Sequence, residues 1–170
     1  MKIKKIDGYK KNYLESIIFN SYYLDLCINH YFKIWPNTKF APYHGDLTLD
    51  NIFFENKKDI KILDWECFTK KGVLFGADIS YLLISSIFYP NFKKNNIDQN
   101  EFNNISFLWK KFLSFNLDEK LTKNPIDYFL DLYQTNSTLK HITNVSPSKF
   151  FPLLIGEKNK KEIHDFLNKL

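Results

Sequence analysis

The stretch from His44 to Glu66 constrains this chain more than any other. It reads His44-Gly45-Asp46-Leu47-Thr48-Leu49-Asp50-Asn51, then Ile52-Phe53-Phe54, a polar turn over Asn56 to Asp59, Ile60-Lys61-Ile62-Leu63, and Asp64-Trp65-Glu66. Two short apolar runs around a polar turn read as paired strands. Such a hairpin brings the chain back to its start, so Asn51 and Asp64 can face one point beside Asp46. A lone Asp-Gly or Asp-Asn is ordinary turn chemistry. The spacing of all three oxygen-bearing side chains around one hairpin makes this a candidate site.

The rest of the chain reads as mostly helical. Tyr13, Leu14, Ile17, Ile18, Tyr22, Ile28, Tyr31 and Phe32 recur at three- and four-residue spacing, which predicts a long helix over 9–34, stopped by Pro36. Residues 40–51 lack that period and hold Pro42 and Gly45, so they read as a loop. Gly72 and Gly76 bracket another. Residues 78–89 are apolar on almost every side, the mark of a buried helix, ended by Pro90. Asp98 is the expected cap of a helix to about Asn116, with Phe102, Ile105, Leu108, Phe112 and Leu113 on one face. Asn124-Pro125 opens a further helix. Asn159 and Glu162 suggest a capping box for a last helix burying Ile163, Phe166 and Leu167. The expected architecture is α+β and mainly α. It is one domain over 1–170, with a long helix (9–35), a loop-and-hairpin segment (40–76) and a helical subdomain (77–170).

At 170 residues, 44% hydrophobic and 25% charged, the chain can bury a real core. The net charge of +5 comes from lysines scattered in short runs. They read as solvated surface, and no nucleic-acid-binding motif accompanies them. Cys27 and Cys67 form no C-x-x-C pair and have no zinc-type spacing, so two reduced structural thiols in a cytoplasmic protein are expected. The basic N-terminus is followed by no apolar signal core. The most apolar stretch, Ile79 to Tyr89, is far shorter than the roughly 20 residues of a membrane span.

The segment from Tyr43 to Leu83 resembles the aminoglycoside phosphotransferase and choline kinase family. Its members carry an H-G-D or H-N-D loop with an Asn five residues after the Asp, an I-D-[WF]-E-like strand end, and a Gly-x-Asp-hydrophobic segment. Here these read His44-Gly45-Asp46, Asn51, Leu63-Asp64-Trp65-Glu66 and Gly76-Ala77-Asp78-Ile79. Protein kinases instead place Arg between the His and Asp and end the strand in D-F-G. The resemblance covers about forty residues. It implies the helical C-terminal lobe of a protein-kinase-like fold, transferring the γ-phosphate of ATP or GTP, with Mg2+, to a hydroxyl of a small metabolite, sugar or aminoglycoside. By the same resemblance Asp46 is the catalytic base and Asn51 and Asp64 are Mg2+ ligands. His44 holds the loop by packing or hydrogen bonding, and Asp78 braces the loop or caps the buried helix. Glu66 either approaches the acceptor or metal or is an ordinary surface or outer-sphere carboxylate. Trp65 is expected in the core, and Asp50 in the turn. His30, His141 and His164 are ordinary surface or packing residues.

The family also implies a nucleotide-covering lobe ahead of the loop. Only 43 residues precede His44, Gly8 is their one glycine, and no strand-borne lysine of the V-A-I-K kind is legible. The expectation is a C-terminal lobe alone: a fragment, half of a split enzyme, or a remnant. A lobe partner chain or self-association would then cover an apolar face, to which the long helix contributes. The alternative function is a non-catalytic binding or regulatory module derived from a kinase. Asp118, Glu119, Asp127 and Asp131 are available to a cationic acceptor.

Overall fold

A computed structural model describes residues 21–35, 38–48, 51–55, 59–92, 99–135 and 157–170. In chain order the elements are α1 (Ser21–Ile34), β1 (Phe40–Tyr43), β2 (Ile52–Glu55), β3 (Asp59–Ile62), a 3-10 turn (Trp65–Cys67), β4 (Thr69–Leu74), α2 (Ala77–Phe92), α3 (Gln99–Leu113), α4 (Glu119–Thr122), α5 (Pro125–Thr135) and α6 (Glu157–Leu167). The architecture is α+β and mostly helical, with two small antiparallel sheets, β1–β4 and β2–β3. Among the described residues no helix is long and apolar enough to cross a membrane.

The hairpin is regular. Ile52 pairs with Ile62, Phe53 with Lys61, Phe54 with Ile60 and Glu55 with Asp59. The second sheet corrects two expectations, since the loops read over 40–51 and between Gly72 and Gly76 give up strands β1 and β4. Phe40 pairs with Leu74 and Ala41 with Val73, but Tyr43 pairs with Thr69. Pro42 alone therefore faces Lys70, Lys71 and Gly72. A proline has no N–H for a ladder, and a bulge is where a strand tolerates one. Gly72 takes φ +86° opposite it, a conformation L side chains rarely adopt. Pro42 and Gly72 are thus loop signals in sequence and bulge residues in the fold.

The core forms around α2, which is buried on all sides from Ala77 to Ser86. It contacts α1, α3 and α6, while α1 also packs on α3. Trp109, Phe112 and Phe129 are fully buried in this cluster. Phe32 stacks on Phe115 with ring centres 3.8 Å apart, and Tyr31 packs on Phe75 at 5.4 Å. Lys111 reaches from α3 to Asp25 and Asn29 of α1, at 2.5 and 3.0 Å.

Helix ends differ from the expectation in three places. α2 runs two residues past Pro90; a proline excludes only its own N–H bond and crowds the preceding turn, which a last turn accommodates. α3 closes at Leu113 rather than near Asn116. α6 begins at Glu157, so Asn159 lies inside the helix and is not its cap; Ile163 is buried as expected. α4 was not legible, being four residues capped by Asp118, whose carboxylate accepts from Lys120 N–H at 3.0 Å. Pro125 does open α5. Residues 9–20, Pro36, Asp50, Asp98 and His141, for which the sequence carries expectations, fall outside the described residues, as do the side chains of Phe102, Ile105 and Glu162.

Candidate active site

Loop 44–48 leaves β1 and enters the hairpin through Asn51. Its backbone is held from below by Asp78, in the first turn of α2. The His44 N–H donates to both oxygens of Asp78, at 3.2 and 3.0 Å, and the Gly45 N–H to one of them at 3.4 Å. Asp78 is almost fully buried. Burial pushes its carboxyl up to about 7, and the two loop amides pull the other way.

His44 is buried, and burial lowers its pKa. Its ring bridges two backbone groups. The Asp46 N–H donates to Nδ1 at 3.3 Å, and Nε2 lies 2.8 Å from the Leu63 carbonyl. An Nδ1 that accepts leaves the proton on Nε2, which donates to Leu63. The imidazole is thus a neutral strut between the loop and the end of β3. The Leu63 N–H in turn donates to the Asn51 carbonyl at 2.8 Å, closing the base of the hairpin.

Gly45 decides how closely these segments approach. It sits at φ +92°, and a Cβ there would lie 2.5 Å from both Cβ and the carbonyl oxygen of Cys67. Only glycine lets loop 44–46 lie directly on the turn that carries Asp64 and Glu66. Asp64 itself adopts a left-handed conformation (φ 60°, ψ 63°), the one non-glycine with positive φ among the described residues. This conformation turns the chain from β3 into the 3-10 turn; Asp accepts it better than most residues.

Asp46 is the partly buried centre of the site. The Asn51 side-chain amide donates to the Asp46 carbonyl at 2.8 Å and to its carboxylate at 3.2 Å. Burial raises the carboxyl to about 7; the Asn51 bond opposes this, the Asp64 charge adds to it, a bond from Tyr81 opposes it, and the Glu66 charge adds again. A carboxylate poised near neutrality can take a proton from a hydroxyl. Asp64 and Glu66 are exposed.

The structure thus brings together Asp46, Asn51, His44 and Asp78, with the charges of Asp64 and Glu66 felt at Asp46. It corrects the reading of Trp65 as core. The indole is 47% exposed, packs edge-on against His44 with centroids 4.7 Å apart, and donates from Nε1 to the Ile62 carbonyl at 2.8 Å. Cys27 and Cys67 are free and buried, and burial pushes both thiols up to about 12, as suits structural cysteines. His30 and His164 are exposed on helices. Glu119, Asp127 and Asp131 line one open groove of about 370 Å3, shared with Lys120 and Lys123; Asp118 is spent as a cap.

Sequence reading missed two tyrosines. Tyr81 of α2 bonds the Asp46 carboxylate, and Tyr133 of α5 donates its hydroxyl to the Gly45 carbonyl. Nothing separates them in sequence from the other tyrosines, ten in all.

The donor chemistry fits a hard cation in one respect and is sparse in another. The Asn51 amide nitrogen makes the bonds to Asp46, so its Oδ1 takes no part in them, and Asp64 is exposed. Among the described residues no three His, Cys, Asp or Glu are grouped to hold a metal ion. Mg2+ commonly takes only one or two protein carboxylates, with phosphate oxygens and waters completing its octahedron. No family model, curated protein or solved structure matches this chain.

Proposed function

We propose that this chain is the catalytic lobe of a phosphotransferase that moves the γ-phosphoryl group of ATP or GTP to a hydroxyl of a small molecule. The observation that carries the reading is the Asn51 amide seated on both the carbonyl and the carboxylate of Asp46. It makes one unit of two residues that the kinase-type loop assigns to base and metal ligand. Asp46, ionised above about pH 7, orients the acceptor hydroxyl and takes its proton as the new P–O bond forms and the bond from the γ-phosphorus to the bridging oxygen breaks, releasing the nucleoside diphosphate. Asn51 Oδ1 and Asp64 would hold Mg2+, which when bound neutralises charge on the phosphate oxygens. His44, Gly45 and Asp78 keep the loop in place and stay out of the proton transfer.

The test is calorimetric titration of the full chain with Mg2+ and ATP or GTP, alongside phosphate transfer to a panel of small alcohols, sugars and aminoglycosides. Asp64→Ala should weaken Mg2+-dependent nucleotide binding at least tenfold. Asp46→Asn should leave binding nearly unchanged and lower turnover by roughly 100- to 10,000-fold, the usual worth of a general base. Turnover that survives Asp46→Asn, or nucleotide binding indifferent to Mg2+ and to Asp64→Ala, would overturn the assignment. Mg2+-dependent binding with no transfer to any acceptor would favour the non-catalytic module.

A further inference from the structure

The peptide unit joining Gly45 to Asp46 is gripped at both ends. Its N–H, on Asp46, donates to His44 Nδ1 at 3.3 Å, and its carbonyl, on Gly45, accepts the hydroxyl of Tyr133. Tyr133 lies 88 residues further along, on α5, and is buried. A second tyrosine sets that helix against the sheet: the Leu74 N–H of β4 donates to the Tyr128 hydroxyl at 2.9 Å. Tyr43, at the end of β1, places its own hydroxyl 3.3 Å from that of Tyr133.

A peptide next to glycine is the easiest in a chain to turn over, because no Cβ resists either orientation. Gly45 must be glycine to lie on Cys67, so the loop carries this liability at the residue before Asp46. The His44 ring alone is a single hinge for that peptide; a second bond, from the opposite side, fixes its plane. We infer that Tyr133 is a positioning residue, its hydroxyl locking the Gly45–Asp46 peptide and so aiming the Asp46 side chain. Helix α5 thereby reaches the loop through the Tyr133 hydroxyl. The consequence for catalysis rests on the reading of Asp46 as the base; the lock itself does not.

The full chain contains one Gly-Asp sequence, so glycine labelled at the carbonyl carbon and aspartate labelled at nitrogen yield a single linked resonance, that of Gly45–Asp46. Tyr133→Phe should shift this carbonyl upfield and broaden or move the Asp46 amide. Tyr43→Phe, which removes a neighbouring buried hydroxyl that does not bond Gly45, should leave it close to the wild-type position. An unmoved resonance in folded Tyr133→Phe overturns the lock. Should that variant not fold, the wild type decides: a slowly exchanging Tyr133 hydroxyl proton with a nuclear Overhauser contact to the Gly45 α-protons supports the bond, and a rapidly exchanging one overturns it. In phosphate transfer, Tyr133→Phe should lower kcat about 10- to 100-fold with the nucleotide KM held, the cost of misaiming a reacting group by about an ångström. Full turnover with a displaced resonance would overturn the positioning role. Turnover surviving Asp46→Asn would remove the phosphotransferase reading and leave the resonance arm standing.

Discussion

The two sides of loop 44–46 are built on opposite principles. Below, His44, Gly45 and Asp78 are buried, and the side chains of Asp78 and His44 bond backbone: two loop amides on Asp78, one amide and one carbonyl on the His44 ring. Above, Leu63, Asp64, Trp65 and Glu66 are exposed, on a chain turned by a left-handed Asp. The difference separates holding from touching. A buried polar side chain with several backbone partners fixes geometry, because any loss strands the remaining groups without water. Exposed carboxylates keep their hydration and can exchange it for a ligand. Asp46 lies on the boundary, half in each regime, and its raised pKa is the result.

Substitutions should therefore cost much stability below and little above. The largest effect is expected for Gly45→Ala. Its Cβ would meet the Cys67 backbone at 2.5 Å and sit at an unfavourable φ. A loss of about 3 kcal/mol or more in urea unfolding is expected, enough to leave a small domain partly unfolded. Retention of wild-type stability would show that the two segments are not in contact. Asp78→Ala should follow, at about 3 kcal/mol, since two loop amides lose their carboxyl acceptor inside the core. A loss under ~1 kcal/mol would mean the loop does not depend on this brace.

A smaller, pH-dependent effect sharpens the boundary position of Asp46. Its folded pKa, about 7, is above its ordinary 3.8, so the folded chain retains a proton that the unfolded chain releases. Its contribution to stability is complete below about pH 4 and is lost as pH rises through 7. Asp46→Asn removes the titration, so its melting temperature should climb relative to wild type between pH 5 and pH 8. On the proposed reading of Asp46 as the base, phosphate transfer by the wild type should run the other way, rising through pH 7 as its carboxyl ionises. Parallel melting curves at all pH values would place Asp46 in open solvent. The smallest effect belongs to the upper face. Trp65→Ala should cost no more than about 1 kcal/mol in the same unfolding assay, because half of the ring is already in water; a loss like that of Asp78→Ala would mean the indole is structural.

The hairpin, the spacing of Asp46, Asn51 and Asp64, the buried helix α2 and the proline that opens α5 were all legible in the sequence. Each is set by neighbours a few residues apart: alternation between strand and turn, apolar residues around one helix, a cap with its proline. Strands β1 and β4 were not legible, because Pro42 and Gly72 signal loops when read locally. Only pairing across about thirty residues turns them into a bulge. The exposure of Trp65 was missed for the same reason: an aromatic beside an apolar strand reads as core until the fold shows which side is covered. Tyr81 and Tyr133 are the extreme case. Their hydroxyls act on Asp46 and Gly45 from helices 35 and 88 residues away along the chain, a relation that no local period encodes. Sequence alone placed the chemical groups on the loop, because their spacing is covalent. Which of them are buried, which peptide is held and where the carboxyl titrates were decided by tertiary packing, because burial and hydrogen bonding depend on what lies across the fold.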